Sequence, residues 1–261
     1  MITTVKAVTF IKALRSGRTC PCLMLCEDDN GGKFEIVVKL RAGIDSGTTG
    51  LTCELLASLL ANDLDLIVPK PFIVDVDSHF YEAISDAALA ERFRKSQGAN
   101  FGSQYLSAGY TWPQGRSISS SLMQMAADIF AFDLMIQNPD RRNDKPNLLR
   151  KGDELVIYDH EMAFSFLYAV GQAQYPWDNT GVGFMKDHVF YRGLKGRELS
   201  WERLQGALEA VGDRRLKMYA EAVPDSWRQG TKDAAARILE YIGQVRNQSK
   251  VLFEKIQEVL V

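Results

Sequence analysis

Hydrophobic and polar positions alternate through the opening of the chain. The alternation predicts strands over Ala7–Leu14, Cys22–Cys26 and Phe34–Leu40. The turns between them are Arg15–Pro21, with one glycine, and Asp28-Asp-Asn-Gly-Gly32, whose asparagine and glycines accept positive φ cheaply. Three antiparallel strands are therefore expected first. A flexible segment, Ala42–Gly50, follows, and then the period changes. Leu55, Leu56, Leu59 and Leu60 recur at helical spacing and predict a helix over Leu51–Leu64. Ile67–Val74 reads as a proline-interrupted approach to a fourth strand, Ala87–Lys95 as a helix, and Phe101–Leu106 as a fifth strand or its exit.

Beyond this point the texture is helical. Ser119–Ile136 is a strongly apolar helix, followed by a polar loop and a short β run over Leu155–Tyr158. Tyr168–Tyr191 is irregular and rich in Gly and aromatics. Helices are expected over 199–211, 213–222 and 231–259, punctuated by Pro224 and Gly230. The order implies an α+β protein of two lobes: a first lobe with a small antiparallel β-sheet and one internal helix, and a mainly helical second lobe. Gly109, Pro113 and Gly115 put the boundary within 105–116, giving lobes of 1–106 and 107–261. The cleft between them is the natural ligand site.

Composition narrows the classes. Of 261 residues, 46% are hydrophobic and 25% charged, with a net charge of −2. That balance excludes a protein that coats nucleic acid through bulk charge, and no direct nucleic-acid partner is expected. No apolar run is long enough to span a bilayer, and the N-terminus lacks the pattern of a signal peptide, so the expectation is a cytoplasmic protein with no membrane partner. Four cysteines, three of them at Cys20, Cys22 and Cys26, read as small buried strand residues rather than a zinc site. Composition says nothing about oligomeric state.

The candidate chemistry lies in Asn138-Pro-Asp-Arg-Arg-Asn-Asp-Lys-Pro-Asn-Leu-Leu149 and the following Val156–Phe164. Asp140 and Asn147 fall on the loop, and Asp159 ends the β run. Two carboxylates and an amide joined by a hairpin are what a phosphotransferase using Mg-ATP needs. Asp140 is the candidate catalytic carboxylate, and Asn147 and Asp159 are candidate Mg²⁺ ligands, hard oxygens for a hard cation. Lys39, at the end of the third strand, can pair with phosphates. Glu54 on the following helix can hold that ammonium, since an unpaired charge so near the core would be costly. Ser16, Gly17 and Thr19 connect the first two strands and could cover phosphates with backbone N–H and hydroxyl groups. No Gly-Lys-Ser/Thr follows, so a P-loop is excluded. Arg141 could hold Asp140 or a phosphate, and Glu161 is either a structural charge or a further carboxylate near the metal.

With these residues assembled, the chain resembles the HipA-like branch of the protein-kinase superfamily, in its compact single-domain bacterial form. Phe132-Asp-Leu-Met-Ile-Gln-Asn-Pro-Asp-Arg141, Pro146-Asn-Leu-Leu149 and Ile157-Tyr-Asp-His-Glu-Met-Ala-Phe164 carry the resemblance most strongly. Val37-Val-Lys39, Glu54 and Phe101-Gly-Ser-Gln-Tyr-Leu106 add to it. It implies a two-lobed protein-kinase-like fold, ATP and Mg²⁺ between the lobes, and transfer to Ser or Thr hydroxyls of a protein. It implies that Lys39 binds phosphates, that Glu54 pairs with it, and that Asp140 is the catalytic base. Asn147 and Asp159 would bind metal, and Gln104, Tyr105 and Leu106 would form the hinge that meets adenine.

The common kinase loop places its asparagine five positions after its aspartate. Lys145 stands there in this chain, and Asn147 lies two further on, with Asn143 as another possible ligand. His160 and Glu161 follow Asp159 where the general pattern has Phe-Gly. Lys145 supports a rival reading, a pseudokinase-like nucleotide-binding or partner-scaffold module without transfer. A lipid or small-molecule kinase is the third reading. The acceptor itself, protein or small molecule, is not legible.

Overall fold

A computed structural model describes residues 2–14, 19–107, 110–113, 115–168, 175–178, 182–228 and 233–261. Strands β1 (Thr3–Ala13), β2 (Cys22–Glu27), β3 (Lys33–Lys39), β4 (Pro71–Val76) and β5 (Gly98–Gln104) close into a barrel in the order β1-β2-β3-β5-β4. The expected simple antiparallel sheet is thus corrected. β1 starts well before its apolar alternation, and Thr3 to Lys6 pair parallel with Phe72 to Asp75 of β4, closing the ring. Two register shifts along β1 supply the bends that closure requires. Gly102 belongs to the same geometry, because a Cβ there would lie 2.6 Å from both Ile36 Cγ2 and Val74 Cγ2 inside the barrel.

The barrel interior holds Val5, Met24, Ile36, Val38, Phe72 and Val74, together with Cys22 and Cys26. Burial pushes the Cys22 thiol up to about 11 and the Cys26 thiol up to about 12. These thiols behave as small core residues. The first half carries two helices, α1 (Thr48–Asp63) and α2 (Ala87–Lys95), so the expectation of one internal helix undercounts it although the sequence pattern marks both segments. The Asp86 side chain caps α2 by accepting the Leu89 N–H at 2.8 Å.

α1 is buried on nearly every side, as a helix between two layers must be. Its leucines join the larger core, which is shared with the second half: α3 (Met123–Met135), α4 (Tyr191–Leu194), α5 (Glu202–Ala210), α6 (Asp213–Ala222), α7 (Ala234–Asn247) and α8 (Ser249–Leu260). The single helix expected over 231–259 is therefore two. Gln248, at φ −111°, breaks it without Gly or Pro. The break lets α7 pack on α1 and α6 while α8 packs on α3 and α5.

Between the halves lies a small sheet of β6 (Tyr110–Thr111), β7 (Leu148–Lys151) and β8 (Glu154–Ile157). Ile67 bridges to Val156, and the Ile157 N–H donates to the Ile67 carbonyl at 3.0 Å, so the link from α1 to β4 is stitched to this sheet. Among the described residues, no helix is long and apolar enough to cross a membrane.

Candidate active site

Lys39 is the last residue of β3, and its side chain leaves the barrel toward α1. Its ammonium contacts Glu54 Oε1, lies 2.6 Å from Asp159 Oδ1, and lies 3.7 Å from Glu161 Oε2. Glu54 is 2% exposed, and its other oxygen accepts the His160 N–H at 3.0 Å. Asp159 follows β8 after one residue, with φ at 62°. Asn147, just before β7, has φ at 45°. Asp and Asn tolerate this left-handed backbone best among non-glycine residues. Gln137 and Phe164, which flank the loop and the hairpin, adopt it at greater cost.

The loop between Asp140 and Asn147 has a definite fold. The Arg142 N–H donates to the Lys145 carbonyl at 3.1 Å, and the Lys145 N–H donates back to the Arg142 carbonyl at 3.2 Å. Asn143 and Asp144 form the tip of this turn, with the Arg142 and Asp144 side chains paired across it. The turn absorbs the extra length, and Asn147 returns to place its Nδ2 at 3.3 Å from Asp140 Oδ2. Asn147 lines the cleft and Asn143 does not.

Arg141 holds the loop from beneath. It is buried, and its Nε and Nη2 donate to the two oxygens of Asp133 at 2.5 and 3.2 Å. Its Nη1 donates to the carbonyls of Asn147 at 2.5 Å and Tyr158 at 3.3 Å, tying the loop's end to the base of Asp159. The expectation that Arg141 holds Asp140 or a phosphate is therefore corrected. Asp133 also meets His188 Nε2 at 3.0 Å and accepts from Asn138 Nδ2 at 2.8 Å. Sequence reasoning assigned no role to Asp133 or His188. A carboxylate in the strongly apolar α3 was the available signal, because a buried charge needs partners.

Lys145 completes a circuit. Its ammonium lies 2.6 Å from Asp140 Oδ2 and 3.2 Å from Asp159 Oδ2. Burial would raise the Asp159 carboxyl, but Lys39 and then Lys145 outweigh it and hold it well below the usual range. Burial would push Lys39 down, but Glu54 and Asp159 hold it well above its ordinary value. Burial lifts the Glu54 and Glu161 carboxyls, with Lys39 pulling against it. Burial, then Arg141, pushes His160 down to about 3.

These groups face a cavity of about 650 Å³ between the barrel and the helical half. Val37, Leu149 and Ile157 give it apolar walls, and Gln104, Tyr105 and Leu106 also line it. The Gln104 and Tyr105 N–H groups are already used, donating at 2.9 Å to the carbonyls of Lys70 and Glu35. Thr19 also lines the cavity, and its carbonyl is held by Arg92 of α2 at 2.5 Å. Ser16 and Gly17 lie outside the described residues.

Apolar side chains and paired lysines and carboxylates thus share one cavity. The chain matches the model of the HipA-like kinase family over residues 7–253 and belongs to that family. Comparison with curated proteins by sequence finds no match. Among solved structures the chain is similar to the Helicobacter pylori proinflammatory kinase CtkA, with 12% identity, a TM-score of 0.52 and 98% of each chain covered. It also aligns with the MAP kinase LmaMPK10 from Leishmania major, at 12% identity and a TM-score of 0.33, over 97% of this chain and 84% of that one.

Proposed function

We propose that the protein transfers the γ-phosphoryl group of ATP, with Mg²⁺, to a hydroxyl, and that the acceptor is a protein Ser or Thr. One observation carries this reading. Lys39 joins Glu54 to Asp159, and Asp140 and Asn147 line the same cleft, with Lys145 linking Asp140 to Asp159. Family membership supports kinase chemistry in general.

In this reading the apolar walls take the adenine ring, with Leu106 as the hinge donor. Leu106 donates no backbone hydrogen bond among the described residues. Lys39 meets the phosphates, and Glu54 keeps its ammonium aimed into the cleft. Asp140 takes the proton of the acceptor O–H as that oxygen bonds to the γ-phosphorus. The bond from the γ-phosphorus to the β–γ bridging oxygen breaks, and ADP leaves. Asp159 and Asn147 offer hard oxygen donors, which suit Mg²⁺. The metal, when bound, neutralises phosphate charge.

A second reading has its own observation: Lys145 sits on both Asp140 and Asp159, as expected of a module that binds nucleotide without transferring from it. Calorimetric titration with Mg-ATP tests the nucleotide site common to both. The wild type should bind, and Asp159→Asn should lose most of that affinity. A wild type that binds no Mg-ATP would rule out both readings.

A further inference from the structure

Lys145 stands where the common loop has its asparagine, yet it does not point to solvent. Its ammonium bridges Asp140 Oδ2 and Asp159 Oδ2, on the side of Asp159 away from Lys39. Its backbone is fixed by the paired hydrogen bonds with Arg142, so the side chain is delivered to this place by a formed turn. Around the two lysines stand four carboxylates, Glu54, Asp140, Asp159 and Glu161, a formal excess of two negative charges. Asp159 Oδ2, which Lys145 occupies, is the Asp159 oxygen not taken by Lys39. A cation ligated by Asp159 therefore competes with the ammonium for that oxygen. The Lys145 side chain is 43% exposed, so it has room to leave.

We infer that Lys145 is a tethered counter-ion that exchanges with the nucleotide-borne metal. In the nucleotide-free protein its ammonium neutralises Asp140 and Asp159 and keeps divalent cations out. With Mg-ATP bound, Asp159 would hold the metal through the oxygen that Lys145 gives up, and the Lys145 ammonium would pair with the terminal phosphate. No bond is made or broken in this exchange. It rests on the Mg-ATP reading above, and it explains why a lysine in this place is compatible with transfer. It makes Lys145 a positioning residue with two consequences. The free protein binds divalent metal poorly, and the site favours ATP over ADP because only ATP carries the phosphate that receives Lys145.

The test uses the full chain, with Lys145→Met and Lys145→Arg beside the wild type, and two binding measurements that do not depend on turnover. The first is Mn²⁺ binding to the nucleotide-free protein, followed by loss of the free-ion paramagnetic resonance signal. Lys145→Met should bind Mn²⁺ at least about tenfold more tightly than the wild type, since a nearby positive charge has been removed from a partly screened site. The second is the ratio of ATP to ADP affinity in excess Mg²⁺, by calorimetry. Lys145→Met should lose the preference for ATP by about tenfold, and Lys145→Arg should restore part of it. Either quantity staying at its wild-type value in Lys145→Met overturns the inference. A wild type that binds Mg-ATP while Lys145→Met changes nothing defeats this inference alone. A wild type that binds no Mg-ATP defeats the proposed function with it.

Discussion

At Arg141, one guanidinium meets both oxygens of Asp133 and the carbonyls of Asn147 and Tyr158, all away from water. The planar fork suits this task, and lysine could not match it. Arg141→Met leaves the Asp133 carboxylate buried with His188 and Asn138 as its remaining partners. Removing one partner of a buried pair costs about 3–5 kcal/mol, so urea unfolding should show a loss of that size. An unchanged midpoint would contradict the role given to Arg141. Residues at this scale were unevenly legible. Lys39, Glu54, Asp140, Asn147 and Asp159 stand out as polar groups beside apolar runs, and the structure brings all five to one cleft. Nothing local marks His188 as the partner of Asp133, 55 positions before it, because that contact exists only after folding.

Among the elements, α1 links the barrel to the rest, and its first turn shows how closely it is packed. A Cβ on Gly50 would lie 2.4 Å from Ser46 Oγ, 2.8 Å from Ile44 Cγ2 and 3.1 Å from Glu161 Cγ. Gly50→Ala therefore has to move Ser46 and Ile44, and presses on the Glu161 stem beside Lys39. It should lower stability by about 1–3 kcal/mol despite the better helix propensity of alanine. Thermal unfolding together with Mg-ATP titration checks this, and a stabilised variant with unchanged affinity would contradict it. Helices α2 and α6 end where their patterns and flanking residues say they should. The start of α1 at Thr48 was hidden, because Thr48–Gly50 carries no apolar period. Barrel closure was hidden for a different reason. A parallel pair between Thr3 and Phe72 depends on strands far apart in the chain, and local alternation cannot report it.

For the whole molecule, the two halves are joined by charge as well as by core. Asp63 at the end of α1 accepts from Tyr219 at 2.5 Å and from Arg215 Nη2 at 2.5 Å, both on α6. The two buried histidines make stability depend on pH with a definite sign. Burial holds His160 at about 3, and burial also lowers His188 against the pull of Asp133. Both histidines are neutral when folded, while in the unfolded chain they take up protons below about pH 6.5. Stability is therefore full above that value and falls as the pH drops toward the folded values. The loss is at most roughly 1.4 kcal/mol per pH unit for each histidine. Asp133 and Asp159, held low after Arg141 and Lys39 outweigh their burial, add the same sign below about pH 4. Glu54 and Glu161, raised by burial, oppose this sign, so the histidine part is read by difference: from pH 7.5 down to about 4.5 the urea midpoint of His160→Phe should fall less than that of the wild type. An equal fall in the variant and the wild type would contradict a buried, neutral His160. Phosphoryl transfer itself is measured as release or incorporation of label from γ-labelled ATP in Mg²⁺. The wild type should move label to itself, to added protein or to water, and Asp140→Asn should reduce that by a factor of about 100 or more while still binding nucleotide. Nucleotide binding by the wild type with no movement of label to any acceptor would contradict the claim and leave a binding module.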